Sequence, residues 1–236
     1  FMKRLYFILV LWIGKFGNVL CKIFHKSGTM ISGKVAVKLQ KNFVKYFRNI
    51  DYDKVIFITG TNGKSTTTNL VSHTVKMAGK EVATNTEGAN MMSGVATTLI
   101  KNSSLFGKFN KEFLILEIDE RSLRNIFKVL PAKNLCITNL QKDQVQRNGD
   151  PDFIYQMFKG AVNKDVTLFV NNEEPRSRSL EDYVGKVVYY SMEKNSKTFI
   201  KDDFYTVTLA CPKCSHKINY EYYNIENIGK FHCTNC

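Results

Sequence analysis

Residues 58–66 read Ile-Thr-Gly-Thr-Asn-Gly-Lys-Ser-Thr and follow the apolar run Val55-Ile56-Phe57. An apolar strand that feeds Gly-x-x-Gly-Lys-Ser and then a polar helix start can cradle an anion. Gly60 and Gly63 allow the tight turn that points successive N–H groups inward, and Thr61, Asn62 and Thr66 complete the loop. Lys64 can set its ammonium against terminal phosphates. Ser65 can offer a hydroxyl to Mg2+, and the helix opening near it adds its positive end. The predicted chemistry is binding of a nucleoside triphosphate. The common loop, Gly-x4-Gly-Lys-Ser/Thr, would need Gly at position 58, which is Ile, so this loop is a shorter variant.

Glu117 closes the apolar run Phe113-Leu114-Ile115-Leu116 and precedes Ile118-Asp119-Glu120. A carboxylate at a strand end beside a phosphate loop suits the magnesium shell. Asp119 and Glu120 read more simply as an acidic helix N-terminus, favourable for the helix dipole. The tail carries Cys211-Pro-Lys-Cys214 and Cys233-Thr-Asn-Cys236, which is Cys-x2-Cys-x18-Cys-x2-Cys. That is zinc-ribbon spacing, in which two tight turns each present two thiolates to a tetrahedral Zn2+. Four thiolates leave no open coordination position, so the site is structural. Two disulfides or four free thiols are the alternatives, the first disfavoured in a reducing cytosol. His216 and His232 lie near enough in sequence to compete as ligands, whereas Cys21 and Cys136 read as buried apolar residues.

The elements that must hold these residues follow from the pattern. Strands are predicted at 54–59, 81–84, 112–118, 134–138, 166–171 and 186–191, and helices at 65–78, 93–101, 121–129 and 152–163. Such alternation predicts an α/β fold with a mainly parallel sheet covered on both faces. Ligands there bind beyond the carboxyl ends of the strands. Tyr220, Tyr222 and Tyr223 suit short strands in the tail. No Ser-His-Asp or Cys-His set is apparent, so no protein nucleophile is expected.

The net charge of +13 is uneven: residues 1–50 hold ten Lys or Arg and no Asp or Glu, leaving +3 for the other 186 residues. Lys3-Arg4 followed by the nine apolar residues Leu5–Ile13 imitates a signal peptide, but Gly14-Lys15 interrupts the run and no small-x-small cleavage site follows. Nine residues are too few for a bilayer crossing, which takes about 20. An uncleaved amphipathic helix over roughly 2–26 is predicted. Lys34, Lys38, Lys41, Lys45 and Arg48 recur at steps of four and three, as one basic helical face. That face is either solvated or drawn to anionic lipid headgroups.

The short loop Gly60–Thr66 resembles that of the Mur ligases, ATP-dependent amide-bond formers of cell-wall synthesis, whose pattern is Gly-Thr-x-Gly-Lys-Ser/Thr-Thr. Further motifs are similar to the MurT branch of that family, the ligase side of lipid II isoglutaminyl synthases. They are Gly33–Leu39, Asn85–Met91, Glu117–Glu120, Thr138–Gly149 and Asn171–Pro175, the last with Glu in place of the usual Asp pair, together with the four-cysteine insertion. Similarity spans nearly the whole chain. The resemblance implies segments 1–50 (basic, helical), 51–200 (Mur ligase central ATP-binding domain) and 201–236 (zinc ribbon), with the C-terminal ligase domain absent.

The resemblance also implies a reaction. ATP phosphorylates the α-carboxyl of D-glutamate in the lipid II stem peptide, and ammonia from a GatD-like glutaminase subunit displaces phosphate to give D-isoglutamine. Lys64 and Glu117 would serve catalysis, with Ser65 and Glu117 holding Mg2+ and Asn139 helping to seat the adenine end. Gln144 stands where most Mur ligases have a metal-binding His, and Lys159 falls near their carbamylated lysine. The expected setting is cytoplasmic, at the inner face of the plasma membrane, with no nucleic-acid partner. Without the C-terminal domain the chain is expected to bind ATP weakly and not to amidate alone. A folylpolyglutamate synthase relative would lack the four-thiolate ribbon. A nucleic-acid-binding ATPase would need a basic ribbon, yet 205–236 sets Lys213, Lys217 and Lys230 against Glu221 and Glu226.

Overall fold

The computed structural model describes residues 2–23, 30–85, 89–141, 151–200, 210–225 and 227–236. Gln144, the centre of the Asn85–Met91 loop and the start of the 201–236 segment lie outside the described residues. The chain forms two compact units: Phe1–Thr59 with Gly63–Leu135, and Gly60–Asn62 with Cys136–Cys236. Compaction thus does not follow the divisions at 50 and 200. The basic N-terminal segment belongs to the first unit, and the four-cysteine module to the second.

Six strands form one sheet in the order β2-β3-β1-β4-β5-β6. They are β1 (Val55–Thr59), β2 (Val82–Thr84), β3 (Phe113–Glu117), β4 (Asn134–Ile137), β5 (Thr167–Asn171) and β6 (Lys186–Tyr190). Pairing is parallel between β1 and β3, β2 and β3, and β5 and β6. Each strand matches its predicted span to within two residues at either end. The reason is burial: Leu114, Ile115 and Leu116 on β3 are all buried, which requires an unbroken apolar run. Edge strand β6, with Tyr189 and Tyr190 exposed, needs only a partial one.

In the first unit α1 (Met2–Ile23) and α2 (Ile31–Leu39) pack together, and α2 lies on α4 (Met92–Lys101). Gly33 makes that approach close: a Cβ there would sit 1.8 Å from the Ser93 carbonyl oxygen. Gly33 N–H donates to Thr97 Oγ1 at 3.0 Å. Helix α3 (Lys64–Met77) follows β1, and α5 (Leu123–Phe127) follows β3. The predicted helix over roughly 2–26 forms as Met2–Ile23. Two predictions for this region need correction. The apolar stretch is not limited to nine residues: Met2–Cys21 gives 20 residues long and apolar enough to cross a membrane by length and composition. The single basic helical face over 34–48 does not exist. α2 stops at Leu39, Gln40 turns extended, and Phe43–Tyr46 form a 3-10 turn. Phe43 and Phe47 end the helix because both must reach Phe7, at ring-centroid distances of 5.0 and 5.1 Å.

In the second unit α6 (Pro151–Lys159) precedes β5, and α7 (Pro175–Arg178) follows it. Strands β7 (Ile218–Ile225) and β8 (Ile228–Cys233) form an antiparallel hairpin. The hairpin joins its unit through Glu173, whose carboxylate accepts from Asn224 Nδ2 at 3.1 Å and whose carbonyl accepts from Gly229 N–H at 3.1 Å. Glu174 is buried and caps α7, accepting from the N–H groups of Arg176 and Ser177; it also accepts from Leu140 N–H. Burial pushes its carboxyl above the ordinary range against those donors. The Asn171–Pro175 motif is therefore an architectural joint.

Candidate functional site

In the first unit the carboxyl end of β3 meets the start of α3. Ser65 Oγ donates to Glu117 Oε2 at 2.7 Å. Two cis ligands of an octahedral magnesium, with bonds of about 2.1 Å, stand about 3.0 Å apart. These two oxygens therefore need only a small separation to admit the ion. Glu117 is fixed by groups from the Asn85–Met91 motif. Asn85 Oδ1 accepts from Glu117 N–H and Asn85 Nδ2 donates to Glu117 O, both at 2.8 Å, and Asn90 Nδ2 donates to Glu117 Oε1 at 3.2 Å. Asn85 and Asn90 were part of a recognisable motif, but nothing in their spacing told that they brace a carboxylate 27 to 32 residues away.

Lys64 Nζ lies 3.0 Å from Glu120 Oε1, with the two side chains only 16% and 5% exposed. Glu120 is thus not the solvated dipole cap expected from sequence. Ser122 rather than Asp119 takes the N-cap position of α5, without a side-chain cap bond. Burial raises the Glu120 carboxyl, and the Lys64 charge works against that shift.

In the second unit Gly60–Asn62 are held by the chain that follows β4. Thr61 N–H donates to the Asn139 carbonyl at 2.8 Å. The Asn139 side chain grips Asn62 from both sides, accepting its N–H at 3.2 Å and donating to its carbonyl at 3.1 Å. Thr138 Oγ1 adds a bond to the same carbonyl at 2.7 Å. Gly60 has φ 130°, and a Cβ there would come 2.2 Å from Thr138 Oγ1. Gly63, the N-cap residue of α3, has φ 82°. Asn139 therefore places both ends of its amide on the loop backbone. Lys159 is exposed, with its ammonium 4.7 Å over the Tyr183 ring. A hydrogen bond with Tyr183 raises its pKa.

Four cysteines converge in the same unit. The Sγ atoms of Cys211, Cys214, Cys233 and Cys236 all lie within 4.8 Å of one another. Cys211–Cys236 and Cys214–Cys233 are 3.6 and 3.4 Å apart. A tetrahedron with metal–sulfur bonds of about 2.3 Å has edges of about 3.8 Å, while a disulfide needs about 2.05 Å. The set fits Zn2+ and is not disulfide-bonded. Backbone N–H groups of Asn235 and Cys236 face Cys233 Sγ at 3.4 and 3.5 Å. The His216 backbone leads in pulling the Cys214 thiol down to about 6, and the other three sulfurs push Cys236 up to about 12. Four such close thiols cannot all ionise without a cation among them. His216 meets the Cys214 carbonyl instead of joining the set. Cys136 is half-buried, and burial pushes its thiol up to about 11.

A parallel sheet with a phosphate loop after β1 and a carboxylate at the end of β3 defines a nucleotide-binding α/β protein. Residues 58–236 match the Mur ligase middle domain, and the chain belongs to the Mur ligase family. It is 29% identical over 222 residues to the MurT subunit of lipid II isoglutaminyl synthase (glutamine-hydrolyzing) from Staphylococcus aureus strain COL. That match covers 94% of this chain and 49% of the relative. Against the Streptococcus pneumoniae R6 subunit of the same name it is 30% identical over 211 residues, covering 89% and 46%. The chain spans about half the length of these curated relatives. Among solved structures, a pseudomurein peptide ligase type C from Methanothermus fervidus superposes with a TM-score of 0.58 at 24% identity, covering 78% of this chain and 36% of that one. A MurF ligase from Thermotoga maritima in complex with ADP gives 0.53 at 16%, covering 75% and 40%.

Proposed function

We propose that this chain is the ATP-binding part of a ligase that activates the α-carboxyl of D-glutamate in the lipid II stem peptide and amidates it with ammonia from a glutaminase partner of GatD type. A carboxylate oxygen attacks the γ-phosphorus of ATP, ADP departs, and an acyl phosphate results. Ammonia then attacks the acyl carbon, phosphate leaves with the bonding electrons, and the proton lost from nitrogen passes to that phosphate or to solvent. The observation that carries this reading is the Ser65–Glu117 contact beside Lys64 in a Mur ligase middle domain that also holds a four-thiolate cluster. Ser65 and Glu117 would hold magnesium, which would supply positive charge to the transferring phosphoryl group. Lys64 adds a second cation there, and the loop N–H groups from Gly60 to Thr66 orient the polyphosphate. The four cysteines would hold Zn2+, whose part would be architectural.

The lipid-linked substrate favours the cytoplasmic face of the plasma membrane. A nucleic-acid role finds no support at the ribbon. Lys213 is paired with Glu181 and Asp182, and Lys230 with Glu221. The test is reconstitution of the natural full-length protein with its glutaminase, lipid II, glutamine and ATP–Mg2+, read by mass spectrometry of the released muropeptides. D-isoglutamine that disappears with Lys64→Ala is expected. Lipid II left unamidated by the intact pair overturns the reading.

A further inference from the structure

Helix α1 is apolar on two opposite faces. Phe7, Val10 and Leu11 point into the first unit and are buried. On the other side Leu5, Leu9, Trp12 and Phe16 are exposed, Phe16 at 64%. A helix wetted on its outer face carries polar residues there, whereas one apolar all round belongs in a core or against lipid. Several of the polar atoms α1 carries are turned onto the protein. Trp12 Nε1 donates to the Leu105 carbonyl at 2.9 Å and the Tyr6 hydroxyl to the Leu39 carbonyl at 3.0 Å. Lys15 Nζ donates to the Ile100 carbonyl at 2.8 Å, and the Arg4 guanidinium to the carbonyls of Tyr46 and Phe106.

Two of the neighbours these bonds reach carry outward apolar groups of their own. On α2, Ile31, Val35 and Leu39 recur at every fourth position and are exposed; in the 104–107 turn, Leu105 and Phe106 are exposed. The charge on these same elements is of one sign. Lys3, Lys34, Lys38 and Lys108 are exposed, and neither 1–50 nor 89–111 contains an Asp or Glu. An apolar face with a purely cationic surround matches a surface of uniform negative potential laid over hydrocarbon.

We infer that α1, the outer stripe of α2 and the 104–107 turn together form a monotopic docking face for an anionic phospholipid bilayer, with α1 lying in the interfacial plane. The inner face disfavours crossing the bilayer: α1 would have to withdraw Phe7, Val10 and Leu11 from the core they fill. Such docking deepens the membrane placement proposed above, and it stands or falls separately from the ligase chemistry.

Trp12 is the only tryptophan of the chain, so its emission reports this face directly. The full chain is mixed with phosphatidylglycerol–phosphatidylcholine vesicles or with pure phosphatidylcholine vesicles. Expected are a blue shift, quenching by brominated lipid and co-flotation with the anionic vesicles, all at least tenfold weaker with the neutral ones. Leu9→Glu with Phe106→Glu, at exposed positions, should lower binding at least tenfold with an unchanged circular dichroism spectrum. If that pair fails to fold, Lys34→Glu with Lys38→Glu gives the same test through the cationic side. Unchanged Trp12 emission and no co-flotation with anionic vesicles overturn the inference. Lipid-free self-association that already shields Trp12 overturns it in favour of a second copy. Resistance to an alkaline carbonate wash overturns the interfacial placement in favour of a spanning helix.

Discussion

Glu120→Gln separates two readings of the carboxylate that holds the loop lysine. At 3.0 Å the Lys64–Glu120 charges attract by about 5 kcal/mol for an effective dielectric of about 20. Desolvation of the buried carboxylate cancels much of that, leaving a net hold on the order of 1–2 kcal/mol. A polyphosphate that takes Lys64 must first break this pair, and it then faces a buried anion. The isosteric amide removes both obstacles, so ATP without magnesium should bind about tenfold tighter, since about 1.4 kcal/mol is a factor of ten. The direction of the Glu120 shift adds a second signature. Burial has already raised this carboxyl, and Lys64 is the charge that opposes the rise; Asp119 reinforces it. When Lys64 turns to phosphate the carboxyl climbs further, so nucleotide binding is coupled to proton uptake and strengthens as pH falls. Titration calorimetry in two buffers of different ionisation enthalpy measures the uptake, and Glu120→Gln should abolish it. Weaker ATP binding by Glu120→Gln, with an unchanged melting temperature, would refute the reasoning and make Glu120 a direct ligand of the nucleotide or its metal.

Ser65→Ala and Glu117→Gln should each remove about 1.4–2.8 kcal/mol, ten- to a hundredfold, from magnesium-dependent ATP affinity. Magnesium-free binding by Ser65→Ala should stay within about twofold, as calorimetry with and without the metal will show. Glu174→Ala strands three backbone donors in a buried site and should cost about 2–4 kcal/mol in urea unfolding, with Glu174→Gln milder. The folded carboxyl of Glu174 is raised by burial. Its contribution to stability is therefore fullest below the unfolded-chain value and is lost as pH rises through the raised one; Glu174→Gln should flatten that decline. The purified chain should hold one zinc per molecule by mass spectrometry. Cys233→Ser, or a strong chelator, should release it and unfold the β7–β8 hairpin, whose metal supplies on the order of 10 kcal/mol.

What could be read from the chain and what could not divide along sequence separation. The sheet was legible because each central strand is an apolar run bounded by turn residues, as in Phe113–Glu117. The cysteine cluster was legible because two short turns fix each pair before any tertiary contact forms. The stretch 34–48 misled for the opposite reason. Its lysines keep helical spacing past Leu39, but solvent-facing charges impose no backbone geometry, and the buried rings of Phe43 and Phe47 decide where the chain goes. Glu120 misled in the same way. Its neighbours suggested a helix cap, while its partner Lys64 is 56 residues away. Periodicity and motif spacing report local constraints, and a carboxylate acquires its function from the side chain it faces across the sheet end. The loop Gly60–Thr66 escaped this limit only in part. Its glycines and Lys64 declared themselves in sequence, whereas the bonds from the Asn139 amide to the backbone of Asn62 did not. An Asn139→Ala change should therefore act on loop geometry, lowering affinity for ATP and for inorganic triphosphate by a similar factor. A loss confined to the adenine nucleotide would return Asn139 to the base.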